Sequence, residues 1–177
     1  MSGLVHLYYG EGKGKTTSAA GMALRAIDAG YKVFVLRFLK CSGSGEVNIL
    51  KSLGAKVYDG KTVDGFTSSM SDQEREVTRQ RQDMLLKQIF EEVSELSVNG
   101  IKTLIILDEL TQACKKGLAD GKLAKKCIEE RPDGTEIVIT GRDPEEWMFE
   151  ISDYITENVN RKHPYEKGIR ARRGVEY

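Results

Sequence analysis

Apolar and polar positions along this chain fall into alternating blocks of two kinds. Short apolar runs rich in β-branched residues predict buried parallel strands at residues 4–9, 32–38, 102–107 and 136–140. Two weaker runs, at residues 55–58 and 153–156, are further candidate strands. The segments between these runs have helical periodicity, so the pattern predicts strands that alternate with helices.

The helical segments carry recognisable start and stop signals. Residues 15–29 are rich in alanine and are followed by Gly30, which predicts a helix that ends at a glycine. Ser71 and Glu74 have the spacing of a capping box, and a long amphipathic segment follows them. We expect its apolar face to pack on the sheet, with the contacts made by Leu85, Ile89, Val93 and Leu96.

A third helix start is predicted near residue 143, with Asp143 as the cap and Pro144 at the first helical position. Strands that alternate with helices favour an α/β fold with a mostly parallel sheet covered on both faces. Residues 41–46 and 60–70 have no clear period. We expect them over the carboxyl edge of the sheet, where open α/β folds bind ligands.

Length and charge limit the possible functions. A chain of 177 residues predicts one domain, residues 1–177. Lysine plus arginine equals aspartate plus glutamate at 27 each, so we expect neither a nucleic acid nor a membrane as partner. One stretch departs from this balance, the irregular and basic C-terminal segment 158–177.

Three widely spaced cysteines, Cys41, Cys114 and Cys127, match neither a disulfide framework nor a zinc site. They are interpreted as reduced thiols of a cytoplasmic protein. The sequence contains no apolar run of the roughly 20 residues that a membrane span needs.

A glycine-rich loop directly follows the first predicted strand and precedes a helix. Its glycine amides and the helix start predict an oxyanion site, where Lys15 would reach phosphate oxygens and Thr16 would hold magnesium. The spacing is unusual because Tyr9 stands where the first glycine of a standard phosphate loop lies, and Lys13 adds a second cation. The predicted ATP-binding residues are Gly10, Glu11, Gly12, Lys13, Gly14, Lys15, Thr16 and Thr17.

The third strong strand ends in two carboxylates, Asp108 and Glu109, which is the Walker B pattern of magnesium-dependent nucleotide enzymes. Together with the loop it predicts a three-layer P-loop NTPase (RecA-like) fold. Kinases, ATPases and adenosyltransferases all remain open at this point. A nucleotide-binding regulator or a RecA-like nucleic-acid protein is a further alternative, whereas the lack of an Asn-Lys-x-Asp motif weakens the GTPase interpretation.

Motifs across nearly the whole chain resemble those of the ATP:corrinoid adenosyltransferases. The loop GEGKGKTT is similar to that family's phosphate loop, and residues 37–40 to its Gln-Phe-Ile-Lys strand ending, with arginine in place of glutamine. Residues 107–110 resemble its Walker B segment and residues 140–142 its Thr-Gly-Arg. The C-terminal pattern is carried by Lys162, His163, Pro164, Tyr165, Gly168, Ala171, Gly174, Glu176 and Tyr177.

This resemblance implies transfer of the 5′-deoxyadenosyl group of ATP to cobalt(I) of a corrinoid, with triphosphate released. ATP is implied to lie in the loop in the direction opposite to that in kinases. Lys13, Lys15 and Arg142 are then expected to stabilise the leaving triphosphate. Magnesium ligands are expected among Thr16, Asp108 and Glu109.

The remaining implied roles concern the nucleoside and the corrinoid. Arg25 matches a family arginine and is expected near the nucleoside. Phe66 matches an aromatic residue implied to displace the lower cobalt ligand, although Ser68 stands where the family has tryptophan. Arg161 and His163 of the basic segment are expected to contact the triphosphate or the corrinoid, with a solvated arm as the alternative.

The resemblance also implies partners. A flavoprotein is expected to reduce the corrinoid, and the enzyme is expected to form a homodimer. Several family members carry an additional N-terminal segment over the active site, whereas the first predicted strand here begins close to Met1. We therefore expect either that another part of the protein closes the site or that the site closes more loosely.

Overall fold

Strands and helices alternate in the computed structural model, which describes residues 3–40, 45–62, 65 and 67–175. The strands are β1 (Val5–Tyr9), β2 (Lys32–Arg37), β3 (Lys56–Asp59), β4 (Thr103–Asp108), β5 (Thr135–Gly141) and β6 (Tyr154–Glu157). The α-helices are α1 (Lys15–Asp28), α2 (Gly45–Ser52), α3 (Asp72–Val98), α4 (Leu110–Lys115), α5 (Gly121–Glu129) and α6 (Glu146–Glu150). Two short 3₁₀ helices lie at Thr67–Ser69 and Pro164–Lys167.

The six strands form one sheet in the order β3-β2-β4-β5-β1-β6. Every neighbouring pair in it is parallel. All six predicted strands are therefore confirmed, including the two weaker ones. Because parallel strands end at the same edge, the segments that follow β1, β4 and β5 meet there, and β5 lies between the other two.

Helices cover both faces of the sheet, which gives the predicted three layers. Strand β1 illustrates this, since Val5 and Leu7 belong to the apolar cluster under α3, α4, α5 and α6. On the opposite face, Ala19 and Ala23 of α1 pack with apolar side chains of β2 and β4. Within the part of the chain that the structure describes, no helix has both the length and the apolarity needed to cross a membrane.

Backbone signals at the helix ends confirm two of the predicted boundaries. Helix α1 ends before Gly30, whose φ of 83° permits the Tyr31 amide to donate back to the Ala26 carbonyl at 2.9 Å. Ser71 and Glu74 form the predicted capping box at the start of α3. The predicted apolar face of α3 also packs on the sheet, with Leu85, Ile89 and Val93 buried and Leu96 partly buried.

The predicted helix start at Asp143 is wrong, since α6 begins at Glu146 with Glu145 as its cap. Asp143 instead adopts a left-handed φ of 44° and pairs with Lys115 at 2.9 Å. The chain is held in this turn because the Arg142 carbonyl accepts a hydrogen bond from the Thr111 hydroxyl at 2.6 Å. Helices α2, α4 and α5 were not predicted from the sequence.

The described part of the basic segment after β6 contains one 3₁₀ helix. His163 caps that helix, because its Nδ1 accepts a hydrogen bond from the Tyr165 amide at 3.2 Å. All described residues from 159 to 175 are exposed. The segment thus has local structure without burial against the rest of the chain.

Candidate active site

The phosphate loop turns tightly between β1 and α1. Gly10 and Gly14 both have a φ of 106°, a left-handed conformation that favours glycine. The Lys15 ammonium folds over the loop and donates to the carbonyls of Gly10 at 2.7 Å and Gly12 at 2.8 Å. Lys15 is only 8% exposed, and this burial lowers the pKa of its ammonium. A cation therefore lies at the centre of the loop, where a phosphate oxygen could replace the carbonyls.

The loop is fixed to the chain that leaves β6, a contact that the sequence did not reveal. The Gly12 amide donates to the Asn158 carbonyl at 2.6 Å, and the Asn158 amide donates to Tyr9 at 2.7 Å. The Asn158 side chain adds a bond to the Lys13 carbonyl at 3.2 Å. A Cβ on Gly10 or Gly12 would lie 2.6 Å from the Asn158 oxygen. This close approach explains why the loop requires glycine at both positions.

The end of β4 brings a carboxylate to the first turn of α1. The Thr16 hydroxyl donates to Oδ1 of Asp108 at 2.8 Å, and the Thr140 hydroxyl donates to the same oxygen at 2.9 Å. Asp108 is 1% exposed, and these hydrogen bonds stabilise its buried carboxylate. Magnesium prefers oxygen ligands, and the Thr16–Asp108 pair fits that preference.

Glu109 follows directly and has a left-handed φ of 63°, at the start of α4. Its amide donates to the Thr140 hydroxyl at 3.0 Å. Burial, and then the nearby Asp108 carboxylate, raise the pKa of Glu109. Thr140 therefore joins the backbone of one acidic residue to the carboxylate of the other.

Arg142 also reaches the phosphate loop, through an ion pair with Glu11 at 2.7 Å. Both side chains are about half exposed, so a bound polyphosphate could compete for the guanidinium. The preceding Gly141 has a φ of 145°, and a Cβ there would lie 2.0 Å from the Thr111 hydroxyl oxygen. This contact accounts for the glycine within the Thr-Gly-Arg sequence.

Lys40 is a second residue whose role the sequence did not reveal. Its ammonium lies 3.1 Å from Oδ2 of Asp108. The signal that could have found it is its position three residues after β2, at the same sheet edge as the end of β4. Strand order, which the sequence does not specify, decides that these two ends are neighbours.

Other predicted site residues lie apart from this centre. Thr17 is exposed in the first turn of α1. Arg25 is ten positions beyond Lys15 on α1, which corresponds to about 15 Å along the helix axis. It lines a separate cavity of about 700 Å³ together with His6, Glu136 and Tyr154.

The basic segment borders the loop from the other side. A cavity of about 640 Å³ is lined by Gly12 and Lys13 of the loop and by the segment's Arg161 and His163. These two predicted residues therefore lie near the loop. Phe66 lies outside the described residues.

The described residues contain no cluster of three or more histidine, cysteine, aspartate or glutamate side chains that could hold a metal ion. The Thr16 hydroxyl and the Asp108 carboxylate, which lie 2.8 Å apart, are a smaller set of oxygen ligands that would suit magnesium. Sites of that kind, completed by phosphate oxygens and water, are typical of nucleotide-bound magnesium.

Comparison with known proteins relates this geometry to a family. The family described as ATP:corrinoid adenosyltransferase BtuR/CobO/CobP matches residues 1–177. A corrinoid adenosyltransferase of a Sinorhizobium species is 32% identical over 178 residues, which cover 99% of this chain and 80% of that protein. A corrinoid adenosyltransferase of Pseudomonas aeruginosa is 32% identical over 176 residues, which cover 99% of this chain and 84% of that one.

Among solved structures, the Aeropyrum pernix ORC2 protein (ADP form) aligns with a TM-score of 0.45 and 18% identity, over 91% of this chain and 43% of that one. The family match includes the phosphate loop, both Walker B carboxylates and the basic segment. The chain therefore belongs to the ATP:corrinoid adenosyltransferase family BtuR/CobO/CobP.

Proposed function

We propose that this protein transfers the 5′-deoxyadenosyl group of ATP to the cobalt(I) of a corrinoid and releases triphosphate, a step in the synthesis or salvage of adenosylcobalamin. The observation that carries the proposal is the family match over residues 1–177. The phosphate loop with Lys15 at its centre supports ATP as the adenosyl donor.

In this reaction the electron pair of cobalt(I) attacks carbon 5′ of ATP. The bond from carbon 5′ to the phosphate oxygen breaks, and triphosphate leaves with that electron pair while cobalt becomes formally cobalt(III). Because the nucleophile is already reactive, the protein needs no general base. Its tasks are to orient carbon 5′ and to stabilise the negative charge of the leaving group.

The cations of the site can stabilise the negative charge of the leaving triphosphate. Lys15 would exchange the carbonyls of Gly10 and Gly12 for triphosphate oxygens, and the loop amides would add further donors. Lys13 lies on the same loop. Arg142 would join them after release from Glu11, which it contacts at 2.7 Å in the present arrangement.

Magnesium, when bound, would supply further positive charge to the triphosphate. We propose the Thr16 hydroxyl and the Asp108 carboxylate as its protein ligands, since they are already within 2.8 Å of each other. Glu109 is proposed as an outer partner of the same ion. The raised pKa of its carboxyl group would fall beside such a cation.

The remaining parts of the proposal concern the two organic substrates. Arg25 is proposed to contact the nucleoside and Phe66 the corrinoid. Arg161 and His163 are proposed to bind anionic groups of either substrate, which is supported by the cavity that they share with Gly12.

We also propose that residues 1–177 act as one nucleotide-binding domain in a cytoplasmic homodimer. A flavoprotein is proposed to deliver the electron that produces cobalt(I). These features follow the family resemblance.

The proposal is tested by adding ATP and Mg²⁺ to the enzyme with a chemically reduced cobalt(I) corrinoid, without oxygen. The expected result is loss of the cobalt(I) absorbance and formation of a light-sensitive cobalt–carbon bond, one for each triphosphate released. ADP in place of ATP is the matched control and should give much less product. ADP as the main product from ATP, with no cobalt–carbon bond, would indicate a phosphotransferase or ATPase instead.

A further inference from the structure

Both carboxylate oxygens of Asp108 are occupied by groups of the protein itself. Oδ1 accepts the hydroxyls of Thr16 and Thr140, at 2.8 Å and 2.9 Å. Oδ2 accepts a hydrogen bond from the ammonium of Lys40 at 3.1 Å. Lys40 thus neutralises a carboxylate that has almost no contact with solvent, because Asp108 is 1% exposed.

The position of Lys40 is set by the sheet. Strand β2 pairs with β4 so that Arg37 lies opposite Asp108. The next residue, Phe38, extends this pairing, since its amide donates to the Asp108 carbonyl at 3.0 Å. Lys40 follows two residues later, and its side chain remains 36% exposed. The backbone therefore holds the Lys40 ammonium near the carboxylate, and the partial exposure of the side chain allows it to move into solvent.

We propose that Lys40 is a stand-in cation that occupies Oδ2 of Asp108 in the absence of a divalent metal and competes with that metal for the carboxylate. This inference rests on the proposed function only in assigning Asp108 to the metal site. A metal bound beside Thr16 at Oδ1 and an ammonium at Oδ2 of the same carboxylate repel each other, so metal binding favours the departure of Lys40. Lys40 thereby sets the concentration of divalent cation that the site needs.

The departure of Lys40 has a consequence for the substrate. Each metal ion that binds releases one ammonium at the carboxyl edge of the sheet, beside the phosphate loop. The net charge of this region rises by the charge of the metal, and the freed Lys40 ammonium becomes available to an anionic ligand. Metal binding and polyphosphate binding are coupled through this exchange.

The test is a titration of the full-length protein with Mn²⁺ alone, in which free Mn²⁺ is followed by electron paramagnetic resonance. Lys40→Met should bind Mn²⁺ about tenfold more tightly than the unaltered protein, the size expected when a neighbouring like charge is removed. Lys51→Met, which removes an exposed lysine from α2, is the matched control and should leave the affinity unchanged. Lys40→Arg keeps the cation and should also retain the original affinity.

Asp108→Asn completes the experiment, since it should abolish the tight binding in the Lys40→Met background. Equal or weaker Mn²⁺ binding by Lys40→Met, or tight binding that survives Asp108→Asn, overturns the proposal. Circular dichroism of each variant checks the fold, and Lys40→Gln serves as a second neutral variant. Because no corrinoid or ATP is present, failure of adenosyl transfer in a separate assay would leave this result unaffected.

Discussion

The phosphate loop and the basic segment 158–177 are both rich in cations, yet they differ in how those cations are held. In the loop, Lys15 is 8% exposed and is bonded to two backbone carbonyls. In the basic segment, every described residue from 159 to 175 is exposed. Asn158 joins the two regions through the Gly12 amide. The loop is held by buried contacts within the protein, whereas the segment's described residues from 159 onward are exposed to solvent.

The largest effect is expected for a substitution in the phosphate loop. Lys15→Ala removes the central ammonium of the loop and should lower kcat/KM for ATP by at least about 100-fold, as loss of a transition-state charge partner does. Steady-state adenosyl transfer measures it. Lys51→Ala, on the exposed surface of α2, is the control and should retain full activity. Normal turnover in a folded Lys15→Ala protein would exclude the proposed phosphate role.

The second effect concerns the junction between the two regions. Gly12→Ala would bring a methyl group within 2.6 Å of the Asn158 oxygen and within 2.7 Å of its carbonyl carbon. The free energy of unfolding should therefore fall by about 1–3 kcal/mol, as for other overpacked sites.

The matched control is Gly21→Ala in α1, where an added Cβ has no heavy atom within 4 Å. Alanine in a helix interior should raise the free energy of unfolding there by about 0.5–1 kcal/mol. Urea denaturation measures both variants. Equal effects at the two positions would mean that the loop does not depend on its contact with Asn158.

The third prediction concerns the basic segment 158–177. Arg161→Ala should raise the KM for ATP or for the corrinoid by about twofold to fivefold, the range for loss of one exposed ion pair. Its free energy of unfolding should stay within about 0.5 kcal/mol, because the side chain is exposed. Lys126→Ala, which removes an exposed basic residue of α5, is the control. Unchanged KM values for both substrates would favour a solvated arm.

The smallest effect is a pH dependence at Glu109. Burial raises the pKa of this carboxyl group in the folded protein, so the folded state binds more protons than the unfolded chain. The contribution of Glu109 to stability is therefore full below its unfolded pKa and is lost as the pH rises through the raised folded pKa. Glu109→Gln should remove this loss, so that the variant gains stability relative to the unaltered protein as pH increases. Urea denaturation at several pH values, without Mg²⁺, tests the direction. A relative stability that falls with pH would contradict it.

The sequence predicted those features that local patterns encode. The strands followed from β-branched runs, and the loop followed from its glycines and lysines. The error at Asp143 arose because an aspartate before a proline normally indicates a helix start, whereas here the bonds to the Arg142 carbonyl hold a turn.

Residues brought together by strand order could not be predicted in the same way. Lys40 and Asp108 are separated by 68 positions, and Asn158 and Lys13 by 145. Their contacts depend on β2 lying beside β4 and on β6 lying beside β1. Neither neighbour relationship is encoded in a local motif. One contact adds a cation to the carboxylate at the end of β4, and the other fixes the phosphate loop.

In the proposed reaction, the phosphate loop holds ATP so that triphosphate leaves intact when carbon 5′ reacts. The most direct measurement uses ATP labelled with ¹³C at carbon 5′, incubated with the enzyme, Mg²⁺ and a cobalt(I) corrinoid, and followed by ¹³C and ³¹P nuclear magnetic resonance. The proposal predicts that the label appears in a carbon bonded to cobalt and that inorganic triphosphate forms in equal amount. Label retained in ADP, with free phosphate as the other product, would contradict it.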